Sequence, residues 1–223
     1  MSTTDIYDTT EGQTLDAHFD IEADGPSPWK NSANSFGICF MNSNGKIVAE
    51  FLGDMEPLPG KVEDPDTMKY FWDKDDNNRK ELQRIREHAK PAMEVMTDLN
   101  DFIKSLKAKR ISWKARPAAY DWQWLNYYQN AYLDYCSQKG VEAGSLSGNP
   151  KRQVFKADCA STMRDIYQVQ YGLDREAMEV QCKEWVEESG FKMTHNPLDD
   201  ARFQAVIYNK LFDALSKNKA KVE

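Results

Sequence analysis

Three short runs with strand character open the chain, at residues 17–23, 36–41 and 46–52, each bounded by turn-forming residues. Asp24-Gly25-Pro26-Ser27-Pro28 follows the first run, and Asn42-Ser43-Asn44-Gly45 separates the other two, which read as a β-hairpin laid on the first strand. From there the apolar positions change to helical spacing. Helices are predicted over 66–72 behind Pro65, over 77–89, and from Pro91 onward, where Met93, Met96, Leu99, Phe102, Ile103 and Leu106 form one face. A fourth strand at 111–115, followed by a helix over 121–135, completes a right-handed crossover unit. Residues 140–150 form a glycine- and serine-rich loop. A short run at 154–157 and helices from about 161, over 174–188 and over 197–216 finish the pattern. Residues 1–14 are polar and broken by Gly12, so they read as a loose arm, and the Lys-rich end reads as frayed. The expected organisation is an arm at 1–15, one α/β domain at 16–216 and a tail at 217–223.

Length and composition narrow the function classes. A chain of 223 residues with six Trp, ten Tyr and ten Phe can bury a substantial single core. No apolar stretch approaches the ~20 residues needed to cross a bilayer, and the first residues lack the parts of a signal peptide, so a soluble, intracellular, cytoplasmic protein with no membrane partner is expected. Cys39, Cys136, Cys159 and Cys182 are scattered without a C-x-x-C pair, which fits free thiols in a reducing compartment. The net charge of −7 argues against coating duplex nucleic acid through bulk electrostatics but leaves room for a small nucleic-acid site. Charge is uneven: acids crowd residues 54–76, whereas Lys104, Lys107, Lys109, Arg110, Lys114 and Arg116 have no acid between them. That basic stretch reads either as a solvated helix end or as a phosphate-facing rim.

The chemistry starts from Asp20 and Glu22. In a strand, side chains two apart share a face, so both carboxylates emerge together while Phe19 and Ile21 pack behind them. Two such charges repel and lose hydration, a cost that a hard cation with oxygen ligands offsets. Asp121 lies at the end of the fourth strand and the start of a helix, where taken singly it is an N-cap or first-turn carboxylate. Asn196 as N-cap, Pro197 at the first helical position and Asp199 in the first turn make an ordinary helix start that leaves His195 and Asp200 without a role. His18 shares the face of Asp20 and is expected at the sheet edge; His88 is expected in solvent.

Taken in order, Asp20-x-Glu22, Asp121, and His195 five residues before Asp200 resemble the motifs of the DEDD 3′→5′ exonucleases, in the histidine-bearing, DnaQ-like (DEDDh) subclass. The resemblance runs from about residue 16 to 212. It implies a ribonuclease-H-like fold: a mixed β-sheet of three antiparallel strands and then helix-linked strands, flanked by helices. It also implies hydrolysis of phosphodiester bonds at single-stranded DNA or RNA 3′ ends, releasing nucleoside 5′-monophosphates. Two divalent cations, Mg²⁺ or Mn²⁺, about 4 Å apart, would be held by Asp20, Glu22, Asp121 and Asp200, with Asp20 bridging them. His195 would act as general base toward the attacking water. By the same analogy Ala23, Asp24 and Tyr120 would line the terminal-nucleotide pocket.

The insert containing Met68-Lys69-Tyr70-Phe71-Trp72 is similar to that of phage-type exonucleases and bacterial exoribonuclease relatives, and Trp72 either stacks on a terminal base or holds the insert to the core. Dimerisation is common in the family and implies a homodimer as a candidate state. The chain departs from the family at Pro117, where Asn is frequent, and at Pro197, where a small residue is frequent. Two alternatives stay open: a non-catalytic nucleic-acid-binding protein on the same fold, and a ribonuclease-H-like endonuclease.

Overall fold

In the computed structural model, which describes residues 3–149, 154 and 156–217, the first predicted strand becomes the middle of a six-stranded sheet. The strands are β1 Thr3–Ile6, β2 Thr14–Ala23, β3 Ala33–Met41, β4 Ile47–Asp54, β5 Arg110–Ala115 and β6 Ala157–Cys159, in the spatial order β1-β4-β3-β2-β5-β6. β1 to β4 pair antiparallel, whereas β5 runs parallel to both β2 and β6. This is the expected mixed sheet, since the parallel strands come only after helical crossovers.

The helices are α1 Pro65–Thr67, which continues into a π-helical turn at Met68–Trp72, then α2 Asp76–His88, α3 Ala92–Ser105, α4 Ala118–Lys139, α5 Ala160–Tyr171, α6 Arg175–Ser189 and α7 Pro197–Lys217. Among the described residues none is long and apolar enough to cross a membrane.

Period-two alternation divides the sheet into two faces. Leu15, Ala17, Phe19 and Ile21 of β2, with Phe36, Ile38 and Phe40 of β3, join Val95, Met96, Leu99 and Phe102 of α3 and Trp124, Leu125 and Tyr128 of α4 in the main core. The opposite face carries smaller residues. Cys39 and Met41 meet Leu198, Ala201 and Ala205 of α7, and the Cys39 thiol donates to the Ala201 carbonyl at 3.4 Å. The outer side of α7 is covered in turn by α5 and α6 through Tyr167, Met178, Cys182, Val186, Ile207 and Leu211.

The N-terminal segment departs from expectation. Residues 3–6 form an edge strand on β4, the Tyr7 hydroxyl donates to Glu50 at 2.5 Å, and the Thr10 hydroxyl donates to the Leu106 carbonyl at 2.7 Å. An edge strand is held by backbone hydrogen bonds and needs no apolar alternation, so the polar sequence concealed it. The first long strand likewise begins at Thr14, and the helix expected from residue 121 begins at Ala118. The run expected at 154–157 is described only in part, and β6 starts at Ala157. Residues 218–223 of the expected tail lie outside the described residues.

His18 was expected at a sheet edge and is instead almost fully buried in a central strand, edge-on to Tyr208 with ring centroids 5.2 Å apart. Burial first, and the Lys114 cation second, push its pKa down to about 3, so this imidazole is neutral. His88 is exposed on α2, as expected.

Candidate active site

Two elements meet where the carboxylates lie. β2 presents Asp20 and Glu22 on the α7 face of the sheet, and α7 begins opposite them. Gly37 makes that approach feasible: it pairs with Asp20 in register, and a β-carbon there would stand 2.1 Å from the Leu198 nitrogen. Glycine is needed because backbone meets backbone at this crossing. The start of α7 is fixed as the sequence suggested, with the Asn196 carboxamide oxygen accepting from the Leu198 N–H at 3.1 Å. Arg202, one turn further, binds both Glu50 carboxylate oxygens of β4 at 2.6 Å and Asp199 at 2.9 Å. This bidentate pair anchors the helix to the sheet.

The result is a convergence of acids. One ligand atom each from Glu22, His195 and Asp200 lie within 4.8 Å of one another. Asp20 accepts a hydrogen bond from Gln204 Nε2 at 2.6 Å, and Asp200 accepts one from the Thr194 N–H at 2.9 Å. Asp121, in the first turn of α4, is almost fully buried and keeps one carboxylate oxygen with no hydrogen-bond partner. Burial is the largest cause of raised proton affinity in all four. Asp20 is pushed well above its ordinary value by burial and then by Asp121, Glu22 and Asp200. Glu22 is raised by burial and then by Asp200, Glu81 and Asp121. Asp121 is pushed up to about 8 and Asp200 to about 6.

Buried acids that repel one another and leave an oxygen unpaired are a costly arrangement for a bare protein. Oxygen donors of this kind, with one imidazole, fit hard divalent cations, and positive charge placed among them would reverse the shifts.

His195 sits on the loop before α7 with φ 61°, in the left-handed region, and its ring meets Phe71 edge-on at 5.2 Å between centroids. Two contributors at this place carry no sequence signal of their own. Glu81 of α2 accepts from Asn196 Nδ2 at 3.1 Å and from Arg84 at 2.8 Å, which ties the histidine loop to α2. Gln204 could have been suspected, since it lies one helical turn after Asp200 and so shares its face.

The residues expected around a terminal nucleotide are placed unevenly. Tyr120 borders the cluster: the charges of Asp121, Glu22 and Asp20 contribute to a pKa pushed up to about 12, behind burial, and its hydroxyl donates to the Gly25 carbonyl at 3.2 Å. Asp24 is buried and engaged within its own loop, accepting from the Ser32 N–H at 2.6 Å, and burial raises its pKa to about 6. The Ala23 carbonyl accepts the indole N–H of Trp72 at 3.0 Å. Trp72 is fully buried, so stacking on a terminal base is excluded for it; it holds the insert to β2, and the ring it leaves facing the site is Phe71. The basic stretch also divides: Lys114 is buried and bonded to Asp158 at 2.6 Å, Lys107 faces Glu11 at 3.7 Å, and Arg116 lines a cleft that Asp20 and Asp200 also border.

The family described as the 3′-5′ exoribonuclease Rv2179c-like domain matches residues 16–212. No curated protein is similar to the chain in sequence. Among solved structures, the nuclease domain of 3′hExo, a DEDDh family member bound to rAMP, superposes with a TM-score of 0.51 at 16% identity, over 92% of this chain and 94% of that one. A product-bound exonuclease I gives 0.57 at 12% identity over 93% of this chain and 46% of that one. The zinc-bound complex of E. coli exonuclease I with single-stranded DNA gives 0.56 at 11%, over 93% and 43%. The chain thus spans less than half of these exonuclease I chains, and the likeness is one of fold.

Proposed function

Because the chain belongs to the 3′-5′ exoribonuclease Rv2179c-like family, and is therefore a 3′→5′ exonuclease, we propose that it removes nucleoside 5′-monophosphates from single-stranded RNA 3′ ends. The choice of RNA is supported by the family's description. The observation that carries the chemistry is the meeting of Asp20, Glu22, Asp121, Asp200 and His195 across β2, α4 and the start of α7. Asp20, Glu22, Asp121 and Asp200 would hold two divalent cations, Mg²⁺ or Mn²⁺. When bound, these supply positive charge to the attacking and leaving oxygens of an in-line displacement at phosphorus.

His195 takes the proton of the attacking water on a ring nitrogen, a task suited to imidazole near neutral pH. Phe71 limits the ring's rotation from one side, and the Asn196–Glu81 bond holds its loop. Tyr120 and the backbone at Ala23 border the place where the leaving nucleotide sits. The folded unit is read as one exonuclease domain at 16–216, in a reducing intracellular setting consistent with four free cysteines; a homodimer is the candidate assembly.

The test uses 5′-labelled RNA and DNA oligonucleotides with Mg²⁺ or Mn²⁺. A stepwise ladder on RNA, abolished by chelator and by Asp200→Ala, is expected. Internal cuts would favour a ribonuclease-H-like endonuclease, binding without cleavage a scaffold, and an equal or better ladder on DNA would remove the RNA assignment.

A further inference from the structure

Beside the carboxylates a cleft of about 430 Å³ opens among α5, α6 and α7, and Asp20, Asp200 and Gln204 belong to its wall. The rest of that wall combines four cations with Glu179 and with Cys182, Met193 and Phe203. Arg116 comes from the residue after β5, Arg164 from α5, and Arg175 and Lys183 from α6, against the single acid Glu179. Arg175 pairs with Glu179 at 3.0 Å. Among the described residues Arg116, Arg164 and Lys183 form no ion pair, and the Arg164 Nε is buried without a hydrogen-bond partner. Arg116 is half-buried next to it, and burial first, then the Arg164 cation, lowers its proton affinity.

Two neighbouring guanidinium groups with a buried donor unpaired are unfavourable until an anion joins them. The simplest explanation is that these cations balance the catalytic carboxylates. Yet no ion pair links them to Asp20 or Asp200, which accept hydrogen bonds from Gln204 and from the Thr194 N–H instead. Once divalent cations neutralise the four carboxylates, the cleft retains a surplus of positive charge.

The anion that meets these cations follows from the direction of the reaction. In a 3′→5′ exonuclease the terminal nucleotide carries no phosphate beyond the scissile one, so the nearest further phosphate is on its 5′ side. We propose that the cleft binds the phosphate one nucleotide 5′ of the scissile bond, with Arg116 and Arg164 as a guanidinium clamp and Lys183 at its rim. Planar guanidinium groups suit phosphate oxygens, and a cleft walled by Asp20 and Asp200 places the bound group adjacent to the reacting one. This inference rests on the exonuclease reading above and adds that the enzyme measures its substrate in phosphates, with two required for full binding.

The experiment compares the dinucleotide ApA with its 5′-phosphorylated form pApA, which has the same scissile bond and one further phosphate. Binding is measured by calorimetry in Ca²⁺, and kcat/KM in Mn²⁺. The wild type should prefer pApA about tenfold in both, and Arg164→Gln should reduce the preference to less than about twofold. Lys139→Gln, at the far end of α4, should keep it. If Arg164→Gln does not fold, Lys183→Gln on the exposed rim should reduce the preference about threefold. Equal binding of ApA and pApA by the wild type, or an undiminished preference in the cleft variants, overturns the proposal. Absence of cleavage of any RNA overturns the exonuclease reading instead, and the Ca²⁺ binding comparison then judges the cleft by itself.

Discussion

Replacing Gly37 by alanine tests whether the close approach of α7 to the sheet sets the geometry of the site. The added β-carbon would stand 2.1 Å from both the Leu198 nitrogen and the Pro197 carbonyl carbon, and 2.4 Å from the Pro197 oxygen. All three are backbone atoms in the first turn of α7, so no side-chain rotation relieves the contact. An ordinary separation of about 3.5 Å requires the strand and the helix start to part by ~1.4 Å. His195 lies two residues before Pro197 and Asp200 three after it, so both move with that turn, away from Asp20 and Glu22. A misplacement on the order of 1 Å can cost ~10²-fold in rate, and overpacking of this kind costs ~1–3 kcal/mol in stability. Gly37→Ala should therefore lower the melting temperature by a few degrees and kcat/KM on single-stranded RNA about 100-fold. Gly53→Ala is the control, because its β-carbon meets the Val95 side chain at 2.4 Å, in the core on the other face of the sheet. It should cost stability while turnover of the folded enzyme stays close to wild type. A folded Gly37→Ala enzyme that keeps its turnover within about threefold of wild type would refute the reasoning.

Three further outcomes are expected. His195→Asn, chosen because asparagine tolerates the left-handed backbone at this position, should slow hydrolysis by about 10²- to 10⁴-fold while melting temperature and the stabilisation by added Mn²⁺ are retained; unchanged turnover would remove the general-base role. In chelator-treated protein the raised pKa values of Asp20, Glu22, Asp121 and Asp200 mean that the folded state holds protons which the unfolded chain, with carboxylates near 4, has released. Their contribution to stability is present at low pH and is lost as pH rises from about 4 toward the value of about 8 at Asp121. Thermal scans from pH 5 to 8 should show this decline, shallower in Asp121→Asn and cancelled by Mn²⁺; an identical slope in Asp121→Asn would contradict the assignment. Trp72→Phe should cost ~1–3 kcal/mol by leaving the Ala23 carbonyl without its donor, with RNA affinity little changed; weakened RNA binding at undiminished stability would restore a stacking role.

The order of elements was legible because hydrophobic periodicity reports directly on packing. β2 alternates apolar and polar positions, β3 ends in a continuous apolar run, and Met96, Leu99 and Ile103 of α3 recur at helical spacing on the buried face. What periodicity cannot report is structure held by backbone bonds alone, which is why β1 escaped notice. His18 was misplaced for a related reason: alternation gives the face a residue occupies but not whether its strand is central or at the edge. The order of strands depends on crossovers, and β5 on one side and β3 on the other enclose β2.

The candidate site was legible through its motifs and not through its supports. Asp20 and Glu22 stood out as paired carboxylates within a strand, whereas Asp121, His195 and Asp200 were recognised through the order they share with the DEDD motifs. Gln204 reaches Asp20 across 184 residues of chain, and Glu81 reaches the histidine loop across 115; only Gln204, one turn after Asp200, has a neighbour in sequence that hints at its place. Arg116 and Arg164 likewise became neighbours only when β6, leading into α5, paired with β5. These supports decide what the motif can do. Left alone, these four acids, raised in proton affinity first by burial and, at Asp20 and Glu22, also by the neighbouring site carboxylates, would take up protons and lose their charge; the anchors at Arg202, Asn196 and Gly37 hold them together. A site assembled in this way is built to be completed by cations, and the unpaired guanidinium groups beside it are then the positive charge left over for the strand being cut.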